Sequence, residues 1–486
     1  MIRALLRASL FALPISLVHA ARATEADETA IKGRPFGKTQ GGDLQPLCDP
    51  PLQATTHALR STLQFNLFNV VTLITTNQSA TGSGVNHHHH ADSFYRLHPQ
   101  SDPNAECAPY GYAPVTEAVN AGEFPIVWAP ATLLPNDANA NAKWQSIQGS
   151  VPNIAPKGTN SGNFSTVQYT SDDPDCWWTW GQCTTSKKSG IPPDIARMPE
   201  PQTLGYGFDD GPNCSHNAFY DYLTQQNQKA TMFYIGSNVL DWPLEAQRAL
   251  TDGHEICAHS WSHRYMTSFS SPDAFAELYY SVRFVKAIKL VTGVTPTCWR
   301  PPFGDVDDRI RAIAHGLGLR TILWKYDSQD WQYGSTQGVT IDTVDGHYQD
   351  LITGAQNGTF DTAGAIMLTH ELNNFTMSEA IKFYPQLKAA FKNIVPVGVG
   401  LNISQPYQEQ GYKLPSFSQY IEGKTSLATD PAAVSAAQAL NSASATAPAS
   451  SSASATAHTS DSGSLRLGGV STVLLGLVGA GVLGSI

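Results

Sequence analysis

From about residue 200 to residue 405, short apolar runs alternate with amphipathic segments. TLGYGF (203–208), ATMFYI (230–235), EICAH (255–259), RTILWKYD (320–327), GAIMLTHE (364–371) and IVPVGVGL (394–401) predict strands. Between them, AFYDYLTQQNQ (218–228), PLEAQRALTDG (243–253), DRIRAIAHGLG (308–318) and SEAIKFYPQLKAAFKN (378–393) predict helices. Ser271 as a cap, Pro272 at the first position and Gly293 just beyond predict one long helix over 272–293. Sustained β–α alternation implies a parallel α/β fold, either a barrel or an open sheet.

The flanks differ in texture. Residues 24–195 are rich in Asn, Pro, Ser and Gly, with few periodic segments. The run His87–His90 sits there and reads as a solvent-exposed polar stretch, since adjacent residues on a loop do not converge on one ion. Residues 424–462 are Ala-, Ser- and Thr-rich without an aromatic, which predicts an extended O-glycosylated stalk. Two Arg, an apolar run from Ala8 to Val18 and small residues suited to cleavage after Ala20 or Ala23 predict a signal peptide, placed over 1–20. The uncharged apolar tail ending at Ile486, behind small residues Ser460, Ser462 and Gly463, predicts GPI attachment with 463–486 removed. The expected order is therefore signal peptide (1–20), N-terminal extension (21–195), α/β domain (196–410), stalk (424–462) and GPI propeptide (463–486).

Composition narrows the partners. The chain has 486 residues with 30 Lys+Arg against 40 Asp+Glu, a formal charge of −10. That balance argues against nucleic acid, which needs a basic surface to neutralise phosphates. Charged residues are only 14% while aromatics reach 10%, so a substantial core is available and global disorder is excluded. Six N-glycosylation acceptors occur, at Asn77, Asn163, Asn213, Asn357, Asn374 and Asn402. Of seven cysteines, Cys176 and Cys183 would close the shortest loop; the odd count leaves at least one thiol over.

Candidate chemistry falls at the carboxyl ends of predicted strands, where active sites of parallel α/β folds lie. GFDDGP supplies the adjacent acids Asp209 and Asp210, which point in different directions from a strand end and so suit separate roles. HSWSH places His259 and His263 at i and i+4, a spacing that puts both imidazoles on one face of a helical turn. One carboxylate with two His leaves an open position for water on a metal. WRPPF offers Arg300 behind a rigid Pro pair, DSQDW offers Asp330, and LTH offers His370 as a proton donor that Asp330 can tune.

GFDDGP, HSWSH, RPPF, DSQDW and LTH, in this order and spacing, resemble the NodB homology domain of the family 4 carbohydrate esterases, which are metal-dependent polysaccharide deacetylases. The resemblance covers about residues 200–400. With the signal peptide, stalk and GPI-like tail, the chain is similar to fungal wall-associated chitin deacetylases. It departs in having Gly207 before Phe208 where the family usually has Thr, and Phe303 where Tyr is more usual.

The resemblance implies a distorted (β/α) barrel and a role for each motif residue. Asp209 would be the general base and Asp210, His259 and His263 the ligands of one Zn²⁺ or Co²⁺. Arg300 would orient Asp209, and Asp330 would tune His370, the general acid. Trp331 and Leu368 would wall the acetyl-methyl pocket, with the Phe303 N–H stabilising the oxyanion. The implied reaction removes N-acetyl groups from chitin or chitooligosaccharides at the outer leaflet of the plasma membrane and among cell-wall glycans. Acetylxylan or peptidoglycan as substrate, and a non-catalytic wall mannoprotein, are the alternatives.

Overall fold

The computed structural model describes residues 102–282 and 286–430. The predicted signal peptide, Cys48, Asn77, His87–His90, nearly all of the stalk, and Ser460, Ser462, Gly463 and the tail lie outside the described residues. Among those described, no helix is long and apolar enough to cross a membrane.

Five parallel strands form one sheet in sequence order. They are β2 (Gly207–Gly211), β3 (Thr231–Tyr234), β4 (Glu255–Ala258), β5 (Cys298–Trp299) and β6 (Arg320–Thr321). A second parallel sheet has the order β7 (Tyr326–Asp327), β8 (Ala365–Leu368), β1 (Thr203–Gly205), β9 (Asn393–Val395). A bridge between Asp209 and His370 joins β2 to the end of β8. On the far side, the Lys325 N–H donates to Ile366 O at 3.3 Å, so the ladder returns to β8 and closes an irregular barrel. Every residue of β2, β3, β4 and β8 is buried, as expected for parallel strands with both faces covered.

Several elements depart from the sequence pattern for identifiable reasons. The long helix expected over 272–293 is two helices, Ser271–Val282 and Ala287–Thr292. Lys286 between them is extended (φ −89°, ψ 177°), and its ammonium is held by Asp137 Oδ2 at 2.8 Å. Capping falls to Ser270, whose Oγ accepts the Asp273 N–H at 3.3 Å. The strand expected over 320–327 splits into β6 and β7 because Leu323 N–H pairs with Ile195 O of the preceding segment. The last strand stops at Val395. Val397 N–H then donates to Thr231 Oγ1 and Gly398 N–H to buried Glu255, which turns Val397–Gly400 into a short helix. A helix over Ile341–Gln356 adds to the elements expected from the pattern, with Val344, Tyr348, Leu351, Ile352 and Ala355 as its buried stripe.

Residues 102–195 are not peripheral to this core. Val115 and Ala118 of the helix Ala113–Asn120, with Phe124, Ala131, Ala140 and Ile147, belong to the same buried cluster as the barrel strands. Disulfides join Cys107 to Cys214, Cys176 to Cys183 and Cys257 to Cys298. The segment also answers a row of buried charges at 305–311. Lys157 Nζ lies 2.7 Å from Asp307 Oδ2 and 3.1 Å from Asp175 Oδ2. Arg311 grips Asp194 with both Nε and Nη2, and donates to the carbonyls of Cys176 and Cys183.

Of the sequons, Asn163, Asn357, Asn374 and Asn402 are exposed. Asn213 is half-buried and its Nδ2 donates to Leu372 O at 2.7 Å, so the nitrogen a glycan would occupy is engaged.

Replacing Arg311 strands two buried carboxylates, Asp194 and Asp308. Arg311→Met is expected to destabilise the protein by about 3–5 kcal/mol in denaturant unfolding, and adding Asp194→Asn should recover part of the loss. A variant as stable as wild type would show that this pair does not hold the two segments together.

Candidate active site

Strand β2 delivers both acids. In a regular strand neighbouring side chains point to opposite faces, yet the register shifts between Asp209 and Gly211, and Asp210 sits at φ 72°. The bulge brings the two carboxylates onto a common target: His259 Nε2 is 3.6 Å from Asp209 Oδ2 and 3.4 Å from Asp210 Oδ1. The acids therefore converge and do not diverge as the adjacent positions suggested. Asn238 Nδ2 donates to the Asp210 carbonyl at 2.7 Å and fixes the turned peptide.

His259 and His263 also meet, but not on a helical turn. The stretch Ser260–His263 is an irregular loop, with Ser260 at φ 62° and His263 at φ 53°. His263 Nε2 lies 3.1 Å from Asp210 Oδ1. The His259 Nδ1–H donates to Arg300 O at 2.8 Å, which leaves the Nε2 lone pair facing the acids. One oxygen of Asp210 and one nitrogen of each imidazole form a cluster with all atoms within 4.8 Å of one another. Asp210 Oδ1 is buried with no hydrogen-bond donor among the described residues, the mark of an oxygen kept for an ion. Burial works against its charge, yet His263, His259 and His370 together hold its carboxyl well below the usual range. Two imidazoles and one carboxylate fit a divalent metal.

Around this cluster the other motif residues take defined places. Arg300 is fully buried and its Nη1 donates to Asp209 Oδ1 at 2.7 Å. Its guanidinium lies over the Phe233 ring at 4.0 Å, which helps carry a buried cation. His370 Nδ1 meets Asp330 Oδ1 at 2.6 Å, while the His370 backbone N–H donates to Asp330 Oδ2 at 3.1 Å. Burial opposes the imidazolium. The Asp330 charge and hydrogen bond, reinforced by Asp210 and Asp209, outweigh it and push the His370 pKa up to about 10. Phe303 has φ 58°, and its N–H has no acceptor among the described residues. Its ring stacks on Tyr265 at 4.1 Å and meets His263 edge-on at 4.7 Å. Leu368 ends β8 two residues before His370, and half-buried Trp331 follows Asp330 in the turn Asp330–Gln332.

Two buried carboxylates that no motif marked support this arrangement. Asp305 Oδ1 accepts from Trp177 Nε1 and Thr179 Oγ1, and its Oδ2 from the Thr267 N–H and Oγ1. It thus ties the turn at Phe303 to the segment after His263 and to the Cys176–Cys183 loop. Glu371 accepts from the Asn213 N–H, Tyr220 OH and His216 Nδ1, holding the chain just beyond Asp210. The position of Glu371 beside His370 is the one sequence signal that pointed to either.

In Asp330→Asn the imidazole of His370 loses its nearest charge. It is expected to titrate about 1–3 pH units lower in an NMR pH series on the metal-free protein. An unmoved His370 titration would remove Asp330 as the cause of the raised value.

A family model described as polysaccharide deacetylase matches residues 196–322. Chitin deacetylase 2 of Cryptococcus neoformans var. grubii serotype A is 52% identical over 334 residues, covering 68% of this chain and 72% of that protein. The chitin deacetylase of Amylomyces rouxii is 48% identical over 315 residues, 63% of this chain and 73% of that one. Among solved structures, the chitin deacetylase of Colletotrichum lindemuthianum is 22% identical, covers 44% of this chain and 95% of its own, and has a TM-score of 0.40. Identical at about half of the aligned positions and spanning more than two thirds of each of these curated relatives, this chain belongs to the polysaccharide deacetylase family.

Proposed function

We propose that this protein hydrolyses the N-acetyl groups of chitin to leave chitosan and acetate. The observation that carries the reading is the meeting of Asp209, Asp210, His259 and His263 at one point, flanked by Arg300 and by the Asp330–His370 pair. The relatives named chitin deacetylase supply the substrate.

An amide carbonyl resists water, so the reaction needs an electrophile, a base and an acid. The chemistry a divalent ion, Zn²⁺ or Co²⁺, supplies between Asp210, His259 and His263 when bound is polarisation of the acetyl carbonyl and acidification of a water. Asp209 takes the proton of the attacking water on Oδ2, since Arg300 holds Oδ1. The Phe303 N–H donates to the oxygen on which negative charge develops. His370 delivers a proton from Nε2 to the departing sugar nitrogen, because Nδ1 is committed to Asp330. Trp331 and Leu368 wall the pocket for the acetyl methyl.

Acetate release from chitin oligomers, acetylxylan and peptidoglycan fragments tests the substrate. Chitin oligomers should react fastest, and activity confined to either other polymer would overturn the assignment. Chelation should abolish turnover, and Zn²⁺ or Co²⁺ should restore it. Asp209→Asn should retain metal while turnover falls about 10²–10⁴-fold. Asp210→Asn removes the one anionic ligand, so metal content itself should fall. Metal lost from the first variant and kept by the second would reverse the two roles.

We also place the protein at the cell surface, exported by residues 1–20 and anchored through a GPI group added near Ser460, Ser462 or Gly463. Treatment of membranes with phosphatidylinositol-specific phospholipase should release it. Retention alongside release of a known GPI-anchored control would reject the anchor.

A further inference from the structure

Glu277 lies on the helix Ser271–Val282, is fully buried, and has only neutral partners. Its Oε1 accepts from the Ala131 N–H at 2.7 Å and from Ser262 Oγ at 2.7 Å. Its Oε2 accepts from the N–H groups of Trp261 and Ser262, both at 3.0 Å. A buried carboxylate without a cation is an expensive group, and four converging donors are what make it tolerable.

Three of those donors belong to the loop between His259 and His263. That loop passes through Ser260 and His263 at positive φ, backbone states that are unfavourable for a non-glycine residue and persist only under external constraint. The constraint comes from both sides. Ser237 Oγ donates to Trp261 O at 2.7 Å and accepts the Trp128 N–H at 2.9 Å. The Trp261 indole N–H donates to Ile126 O at 3.1 Å, and its ring stacks on Phe124 at 5.7 Å. The segment 124–131 is thus a strap across the loop, and Glu277 joins strap, loop and helix in one carboxylate.

We propose that Glu277 is a positioning residue for metal binding, holding the Trp261–Ser262 peptide so that His263 reaches Asp210. The inference rests on the reading that Asp210, His259 and His263 hold a divalent ion. It makes the N-terminal segment, through Ala131, a contributor to that ion's affinity.

The test titrates the full chain with Zn²⁺ against a chelator and with Co²⁺ by its visible absorption, for wild type, Glu277→Gln and Ser262→Ala. Glu277→Gln turns an amide NH₂ toward N–H donors and should weaken Zn²⁺ about 10–100-fold, with an altered Co²⁺ spectrum. Ser262→Ala removes one hydroxyl donor, leaves the two N–H bonds to Oε2, and should cost less, about 3–10-fold. A purely structural role would lower the melting temperature and leave both titrations unchanged. Zn²⁺ affinity within about twofold of wild type in folded Glu277→Gln overturns the proposal. If that variant does not fold, unchanged affinity in Ser262→Ala overturns it. Failure of wild type to bind either ion would instead overturn the metal reading on which it rests.

Discussion

Two adjacent carboxylates, Asp209 and Asp210, are buried at one end of a barrel strand, and burying them governs what surrounds them. Desolvation of an unpaired carboxylate costs several kcal/mol, so each needs its own compensation. Asp209 has the Arg300 guanidinium on one oxygen, and that cation is itself carried by the faces of Phe233 and Trp324. Asp210 has both imidazoles of the HSWSH stretch facing its Oδ1, an oxygen that has no hydrogen-bond donor among the described residues. The bulge in β2 permits this division, because a regular strand would send one acid to the core and the other away. The Asp209–His370 bridge that closes the barrel also brings the His370–Asp330 pair to the same rim. The barrel ladder and the site therefore share the Asp209–His370 contact.

A second group of buried charges has a different purpose. Asp305, Asp307, Asp308, Arg309 and Arg311 are all withdrawn from water. Their partners include Trp177, Thr179, Lys157 and Asp194, all from residues 102–195. A barrel lacking that segment would expose or orphan these groups, which is a strong penalty on separation. The segment therefore acts as a counter-charge and hydrogen-bond shell. Its irregular, Asn- and Pro-rich sequence suits this work better than long periodic elements do.

Much of the fold and site is legible in the chain, for physical reasons. Buried parallel strands read as continuous apolar runs, and motifs at their carboxyl ends land on one rim because every strand points the same way. What was not legible is instructive. The spacing of His259 and His263 suggested a helical turn, but the loop reaches the same convergence through positive φ at Ser260 and His263. Neither Ser nor His advertises that conformation as Gly would. The helix over 341–356 was hidden by Gly346 and Gly354, although its capping box at Thr340 and Thr343 was present. Lys286, extended ahead of the second helix, is held by Asp137, about 150 residues earlier, and no local pattern carries such a contact.

Strain at the site explains why its support is so extensive. Asp210, Ser260, His263, Phe303 and Gln329 all adopt positive φ, and each is a motif residue or lies next to one. Left to local preference, each would relax toward an ordinary backbone state and carry its functional group away from the cluster. Around Asp210, Ser260, His263 and Phe303, Glu277, Asp305 and Glu371 oppose this, with donors converging on each carboxylate from at least two segments, while the Gln329 N–H is held by Asp327. An ionised oxygen can hold several donors at once, which a neutral side chain of the same size does less strongly. The buried acids around this site therefore divide by task. Asp209 and Asp210 face the point where the ligand atoms meet, Asp330 holds the His370 imidazole, and Glu277, Asp305 and Glu371 fix the backbone around them.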